Sequence, residues 1–294
     1  MYIAKITILY YTGKNGYPTP PKGRILMQDR IAISGLNLHH SFSNVATDQF
    51  ALHCHPHFEV YYFIHGKVSY LVEGKRYEPT PHSILLMAPG TFHGVRIESC
   101  EDYERYALHF EKGLLSENRE QLLLSPFYGK TGRQDIYFEG ADAFHLEDYL
   151  RSLLECDDLE EQQALLSIRL EALLSQILRM NLLSRTTAAT VQSRTVDQIV
   201  SYLNHSLAEP ITLDSLSERF FLSKNHLNHL FKQATGTTVR NYLIHKRVAA
   251  AHDLIRQGVP AALSAERCGF HDYSAFFKAY KKIIGASPAE AIRG

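Results

Sequence analysis

The chain has 294 residues, of which 45% are hydrophobic and 21% charged, with acidic and basic side chains in equal number. That balance excludes wholesale disorder and leaves room for two modest domains. No apolar run approaches the ~20 residues of a membrane-spanning helix.

Four scattered cysteines, Cys54, Cys100, Cys156 and Cys268, show no CxxC spacing and read as reduced thiols of a cytoplasmic protein. The opening residues, MYIAKITILYYTGKNGYPTP, lack the basic flank and cleavage site of a signal peptide. A first strand and loop are expected over Tyr2 to Pro21.

From residue 25 to about 112 the pattern is one of short strands. VYYFI at 60–64, VSYLV at 68–72 and ILLM at 84–87 are rich in β-branched and aromatic residues. Turn signals separate them: His65-Gly66-Lys67, Glu73-Gly74-Lys75 and Pro89-Gly90. Strands at regular spacing without helical runs predict an all-β sandwich or small barrel over residues 1–141.

The densest chemistry in that part is HCHPHFE at 53–59. Side chains alternate along a strand, so His53, His55, His57 and Glu59 would share a face, with His93 returning from the hairpin after Pro89-Gly90. Imidazoles with a carboxylate suit a divalent transition metal, with His53, His55, Glu59 and His93 as candidate ligands. His57 reads better as a partly exposed loop residue, and His39 and His40 are too isolated to interpret. Tyr61, Phe63 and Tyr70 are candidate apolar walls of an effector pocket; Arg24, His53, His55, Glu59 and His93 are its candidate polar contacts.

The period changes near Asp142. Phe144, Leu146, Tyr149, Leu150, Leu153 and Leu154 trace one amphipathic helix, and leucines and isoleucines from Leu165 to Leu178 trace a second. This hairpin, residues 142–183, has more apolar surface than it can hide alone, which predicts a homodimer contact. SRTTAATVQSR at 184–194 is small, polar and aperiodic: a linker.

An all-α domain is expected over 195–294. Val196, Ile199, Val200 and Leu203 give its first helix, and Thr212 caps a second in which Leu213, Leu216, Phe220 and Phe221 should be buried. Ser223 caps a third, closed by Gly236 in the left-handed conformation. A long helix follows from Val239 to about Gln257, with charged Arg247 in its otherwise apolar stripe. Gly269 fits the turn of a second helix-turn-helix, whose last helix should bury Phe276, Phe277, Tyr280 and Ile284. Ser287-Pro288-Ala289-Glu290 has the form of a capping box for a closing helix. From Arg194 onward there are 13 Lys and Arg against 8 Asp and Glu, while the remainder has 18 against 23. Only the C-terminal part is basic, as expected if it alone meets phosphates.

The segments EPITLDSLSERFFLSKNHLNHLFKQATG and GFHDYSAFFKAYKKIIGASPAE, with Arg247, Ala251 and Leu254-Ile255 between them, resemble the DNA-binding domain of AraC-type transcription regulators. The resemblance implies that the third and sixth helices of the domain enter the major groove. By position, Asn225, Asn228, His229, Tyr273, Ser274 and Lys278 would face bases. Lys224, Lys232, Lys281 and Lys282 would hold phosphates.

The spacing His53-x-His55, three residues, Glu59, six residues, Gly66, followed by Pro89-Gly90-x-x-His93, resembles the cupin motif; cupins often have Gly-Asp where this chain has His82-Ser83. Together these imply a cupin-like barrel plus helical hairpin followed by a tandem helix-turn-helix domain. The implied function is sequence-specific promoter binding in response to a small effector, a sugar among the candidates, with no required cofactor. RNA polymerase is a further candidate partner, and no membrane is. The alternatives are a metal-dependent cupin enzyme with an accessory helical domain, and a constitutive DNA binder whose β-domain only dimerises.

Overall fold

A computed structural model of the chain describes residues 25–33, 35–47, 52–128, 136–155, 160–183 and 194–290. The expected opening strand, Arg24, Cys156 and linker residues 184–193 lie outside the described residues.

Among the described residues nine strands form the N-terminal part: β1 (Ile25–Ile33), β2 (Leu36–Ser43), β3 (Phe58–His65), β4 (Val68–Val72), β5 (Lys75–Tyr77), β6 (Ser83–Met87), β7 (His93–Ile97), β8 (Tyr103–Phe110) and β9 (Tyr137–Phe138). They make a six-stranded sheet in the order β1-β2-β8-β3-β6-β9 and a three-stranded sheet in the order β5-β4-β7. β3 is buried on both faces along most of its length, which explains its unbroken apolar run. One face, with Val60, Tyr62, Leu108 and Phe110, joins the leucines of the helices in a single core. The other looks across to the small sheet, where Tyr61 meets Tyr70 with ring centroids 4.5 Å apart.

The helices behind the large sheet are α1 (Glu117–Leu124), α2 (Leu146–Leu154) and α3 (Glu160–Leu183). Phe144 lies in a short turn before α2 rather than within it. Leu166, Leu170, Leu173, Leu174, Ile177 and Met180 of α3 are buried within this same chain, each stabilising it by roughly 1.5–3 kcal/mol. Most of the hairpin's apolar face is therefore covered by its own barrel. What stays exposed is Leu165, Ile168, Leu182 and Leu183.

The C-terminal helices are α4 (Arg194–His205), α5 (Leu213–Phe220), α6 (Lys224–Thr235), α7 (Val239–Arg256), α8 (Ala261–Arg267) and α9 (Tyr273–Ile284). The caps follow the sequence: Thr212 and Ser215 form a reciprocal box, Ser223 accepts from the His226 amide, and Gly236 is left-handed. α7 serves two cores. Tyr242 and Leu243 belong to the first helix-turn-helix, and Val248, Ala251 and Ile255 to the second.

Two expectations fail. Phe221 is 93% exposed, because it is the left-handed residue that turns the chain out of α5. Phe277 is 37% exposed, since Phe276 and Tyr280 already fill the buried side of α9. At the C-terminus the Ser287 and Glu290 capping bonds are both made, but residues 288–290 form a turn and the next four lie outside the described residues.

Candidate functional site

The strand register sorts the barrel interior into three rows. Asn37, His109, Glu59 and Met87 lie in one; His39, Ala107, Tyr61 and Leu85 in the next; Ser41, Arg105, Phe63 and Ser83 in the third. The strand ends of the small sheet face them with Tyr70 and His93.

Glu59 is the hub of the first row, with 4% of its side chain exposed. His55 Nε2 donates to its Oε2 at 2.9 Å, and His93 and His109 bring their Nε2 atoms to 2.8 and 3.4 Å from the same oxygen. The His93 contact has ion-pair distance without good hydrogen-bond alignment. Burial opposes ionisation of Glu59, but the surrounding imidazoles outweigh it and hold the carboxyl well below its usual range. His93 shows the complementary result. Burial would lower its pKa, yet Glu59 and the Thr91 carbonyl, 2.8 Å from Nδ1, raise it. At His55 burial prevails and pushes the pKa down to about 3.

All the barrel residues expected at the site from Glu59 to His93 are brought together. His53 bridges to His93 across the strands, with rings 4.4 Å apart. Tyr61, Phe63 and Tyr70 are buried in the same interior. His57 faces outward toward Glu111 at 3.7 Å with 35% of its side chain exposed, as a loop histidine. His109 and His39, which stack at 5.9 Å, and Arg105, Ser41 and Tyr103 belong to the interior as well. The alternation Tyr103-Arg105-Ala107-His109 was their only signal, and it says nothing of register.

Ligand atoms of His53, His55 and His93 lie within 4.8 Å of one another, as do those of His55, Glu59 and His109. As chemistry, this donor set fits a divalent transition ion.

Residues adjacent in sequence to these histidines point the other way, onto the helical domain. Cys54 brings Sγ to 2.8 Å from His245 Nδ1; burial pushes that thiol up to about 12, so it stays protonated and donates. Phe92 stacks on Tyr242 at 5.2 Å and joins the first helical core. Glu73 receives Tyr242 Oη at 2.8 Å, Asn204 Nδ2 at 3.1 Å and the Lys246 ammonium at 2.5 Å. Gly90 is pressed so close to α7 that a Cβ there would stand 2.7 Å from that of Ala249.

The outer faces of α6 and α9 carry the expected nucleic-acid residues. Asn225, His229, Lys224, Lys232, Tyr273, Ser274, Lys278, Lys281 and Lys282 are exposed, and Asn228 is half-buried. Lys224 is paired with Asp214. The two helix-turn-helix units are fixed to each other by Arg247, which donates to the carbonyls of Leu207 at 2.8 Å, Glu209 at 2.7 Å and Gly269 at 2.9 Å. Gly269 has φ of +83°, and a Cβ there would meet the Leu207 oxygen at 2.6 Å. That contact explains the charged residue in the α7 stripe.

Residues 38–178 match a family model described as AraC-like ligand binding domain, and residues 216–294 match one described as Helix-turn-helix domain. The arabinose operon regulatory protein of Escherichia coli (strain K12) is 27% identical over 227 residues, covering 74% of this chain and 74% of that protein. The HTH-type transcriptional activator RhaS of Salmonella schwarzengrund is 30% identical over 107 residues, 36% of this chain and 38% of its own length. Among solved structures, ToxT from Vibrio cholerae covers 88% of this chain and 98% of its own at 12% identity, with a TM-score of 0.38.

Proposed function

The chain belongs to the AraC-type transcription regulators, and from that premise we propose how its parts work as an effector-responsive, DNA-binding switch. The observation that carries the proposal is the direct adjacency of barrel and helical domain: His53, His55 and His93 face the barrel interior, while Cys54 and Phe92 face α7. A ligand that moves those strand ends changes the stability of the docked arrangement. Such differential affinity is what an allosteric effector requires.

On DNA, α6 and α9 enter successive major grooves. Asn225, Asn228, His229, Tyr273, Ser274 and Lys278 read bases, and Lys232, Lys281 and Lys282 hold phosphates. Lys224 joins the phosphate contacts by releasing Asp214. α7 has 18 residues, a strut of about 27 Å, comparable with the ~34 Å between groove entries on one face of the duplex. Leu165, Ile168, Leu182 and Leu183 form the contact of a homodimer. The setting is the cytoplasm, and RNA polymerase is the downstream partner.

A divalent ion held by His53, His55, Glu59 and His93 would tie the same strand ends together. Elemental analysis of the purified chain tests that addition, and less than one equivalent of metal after saturation and desalting removes it. The enzyme reading gains no support from the relatives, which are regulators by name.

Fluorescence anisotropy with promoter fragments tests the whole reading. Specific binding that weakens steeply with salt is expected from counterion release, and binding without sequence preference would overturn it.

A further inference from the structure

We propose that the effector is a small polyhydroxylated carboxylate, a sugar acid, whose carboxylate is bound by Arg105 and whose hydroxyls meet Ser41, Ser83 and His109. This inference rests on the effector reading above and names the ligand class for the same barrel.

Arg105 lies in the interior row opposite Ser41 and Phe63, and its guanidinium covers the Tyr103 ring at 4.3 Å. Its Nη1 is buried with no hydrogen-bond partner, and among the described residues no carboxylate forms an ion pair with it. Arg105 as a whole is half-buried, but its buried Nη1 forgoes a charge-assisted bond that an anion entering the barrel would supply. Glu59 does not serve, because it is committed to His55, His93 and His109 two rows away. Four residues along β8 separate the two rows, about 13 Å at ~3.3 Å per residue. The row of His39, Tyr61, Ala107 and Leu85 lies between the two, so a ligand held by both Arg105 and His109 would span it. Guanidinium is also the cation best shaped for a carboxylate, since its paired N–H groups match the two oxygens.

The rest of the interior asks for hydroxyls. Ser41 Oγ, Ser83 Oγ and His109 Nδ1 are buried without partners among the described residues, and both serines are 1% exposed. Each accepts or donates one further hydrogen bond, so an apolar ligand would leave all three unmet. Tyr61 and Tyr70 provide ring faces beside them, with hydroxyl groups that burial holds in the neutral form. A single guanidinium balances one negative charge, which suits a monocarboxylate.

The test uses the full chain and two matched probe pairs: D-galacturonate with D-galactose, and D-gluconate with D-glucose, followed by thermal shift and calorimetry. At least one acid is expected to bind about tenfold or more tightly than its neutral parent, the loss a charge-assisted bond accounts for. Arg105→Met should abolish that preference and Arg105→Lys retain part of it, both verified by cooperative unfolding. Ser41→Ala, a milder change, should weaken the acid several-fold.

Neutral sugars binding as well as the acids would overturn the proposal and leave the effector reading intact. Acid binding that survives Arg105→Met would overturn it as well. If no acid binds, the proposal falls. A small-molecule extract that still alters operator affinity would then preserve the effector reading, and an extract without effect would remove both.

Discussion

Lys246 of α7 places its ammonium 2.5 Å from a Glu73 carboxylate oxygen, at a turn of the barrel, with 13% and 9% of the two side chains exposed. Glu73 holds this position at a backbone cost. Its φ is +47°, in a region that side-chain-bearing residues avoid, and the turn is shared with left-handed Gly74. It is also tied to Phe92, whose carbonyl accepts from the Glu73 amide at 2.7 Å. One buried carboxylate thus joins the strand end beside His93 to the helix that spans both helix-turn-helix units.

Glu73→Gln should loosen this docking. Lys246 would be left buried and unpaired, a change worth about 3–5 kcal/mol when one partner of a buried pair is lost. Denaturant unfolding of the variant should split into two transitions, and hydrogen exchange should rise at Tyr242 to Lys246. Pairing it with Lys246→Met should recover part of the loss. One unchanged cooperative transition in Glu73→Gln would show that the pair does not hold the domains together.

Arg247→Met removes three bonds to the carbonyls of Leu207, Glu209 and Gly269. Bonds from a charged donor contribute about 1.5–3 kcal/mol, so the two helix-turn-helix units should lose their fixed spacing before they unfold. The expected signature is a larger loss of affinity for an operator spanning two grooves than for one covering a single groove. Equal losses on both would assign Arg247 to stability alone.

On the outer faces of α6 and α9, base readers and phosphate contacts should behave differently. Asn228→Ala or Lys278→Ala should cost about 1–3 kcal/mol on the cognate site and relax preference at one position. Lys281→Ala should weaken every sequence alike and reduce the slope of log affinity against log salt by about one. If Asn228→Ala and Lys281→Ala give the same profile over a library of site variants, the assignment of α6 as a reading helix fails.

A dimer face is the test for the exposed remainder of α3. Ile168 is 64% exposed, and with Leu182 seven-residue multiples along the helix place it on one stripe. Ile168→Asp should convert dimer to monomer in sedimentation at micromolar concentration without lowering thermal stability of the barrel, since no buried contact is removed. An unchanged sedimentation coefficient would move the interface elsewhere.

How much of this was written in the sequence depends on the range of the interaction. Caps such as Thr212 and Ser223, and the turn glycines Gly236 and Gly269, are set by neighbours within four residues and were legible. His53, His55 and Glu59 were legible from their spacing, but strand alternation was only part of the reason: β3 begins at Phe58, and His57 turns outward against the expected shared face. Arg105 and His109 were not, since their partners sit on β2 and β3 and only the register reveals that Arg105 shares a row with Ser41. Glu73, Phe92 and Lys246 are further still from local pattern, being meaningful only when barrel and helices meet. Phe221 misled because an apolar residue at helical spacing was counted as core, when the helix had already ended at its position.

The buried histidines also fix how stability depends on pH. His55 falls to about 3 through burial, so the folded chain refuses a proton that the unfolded chain takes near 6.5. Its contribution is present above the unfolded value and is lost as pH falls, amounting to about 2 kcal/mol between pH 7 and pH 5. His39 is lowered to about 3, again chiefly by burial, and acts in the same direction. His93 has the opposite sign: burial opposes but Glu59 raises its pKa, so its contribution is complete below ~6.5 and is lost as pH rises through the elevated folded value. Stability should therefore decline on both sides of neutrality, with the steeper arm on the acid side, where two groups act together. Glu59→Gln should shrink the alkaline arm, because the carboxylate that chiefly favours protonated His93 is gone and burial then opposes only the weaker help of Thr91 and Glu73. His55→Gln should make the acid arm shallower, leaving His39. Melting temperatures across pH 5 to 9 that leave both arms unchanged in these variants would disconnect the cluster from the stability of the fold.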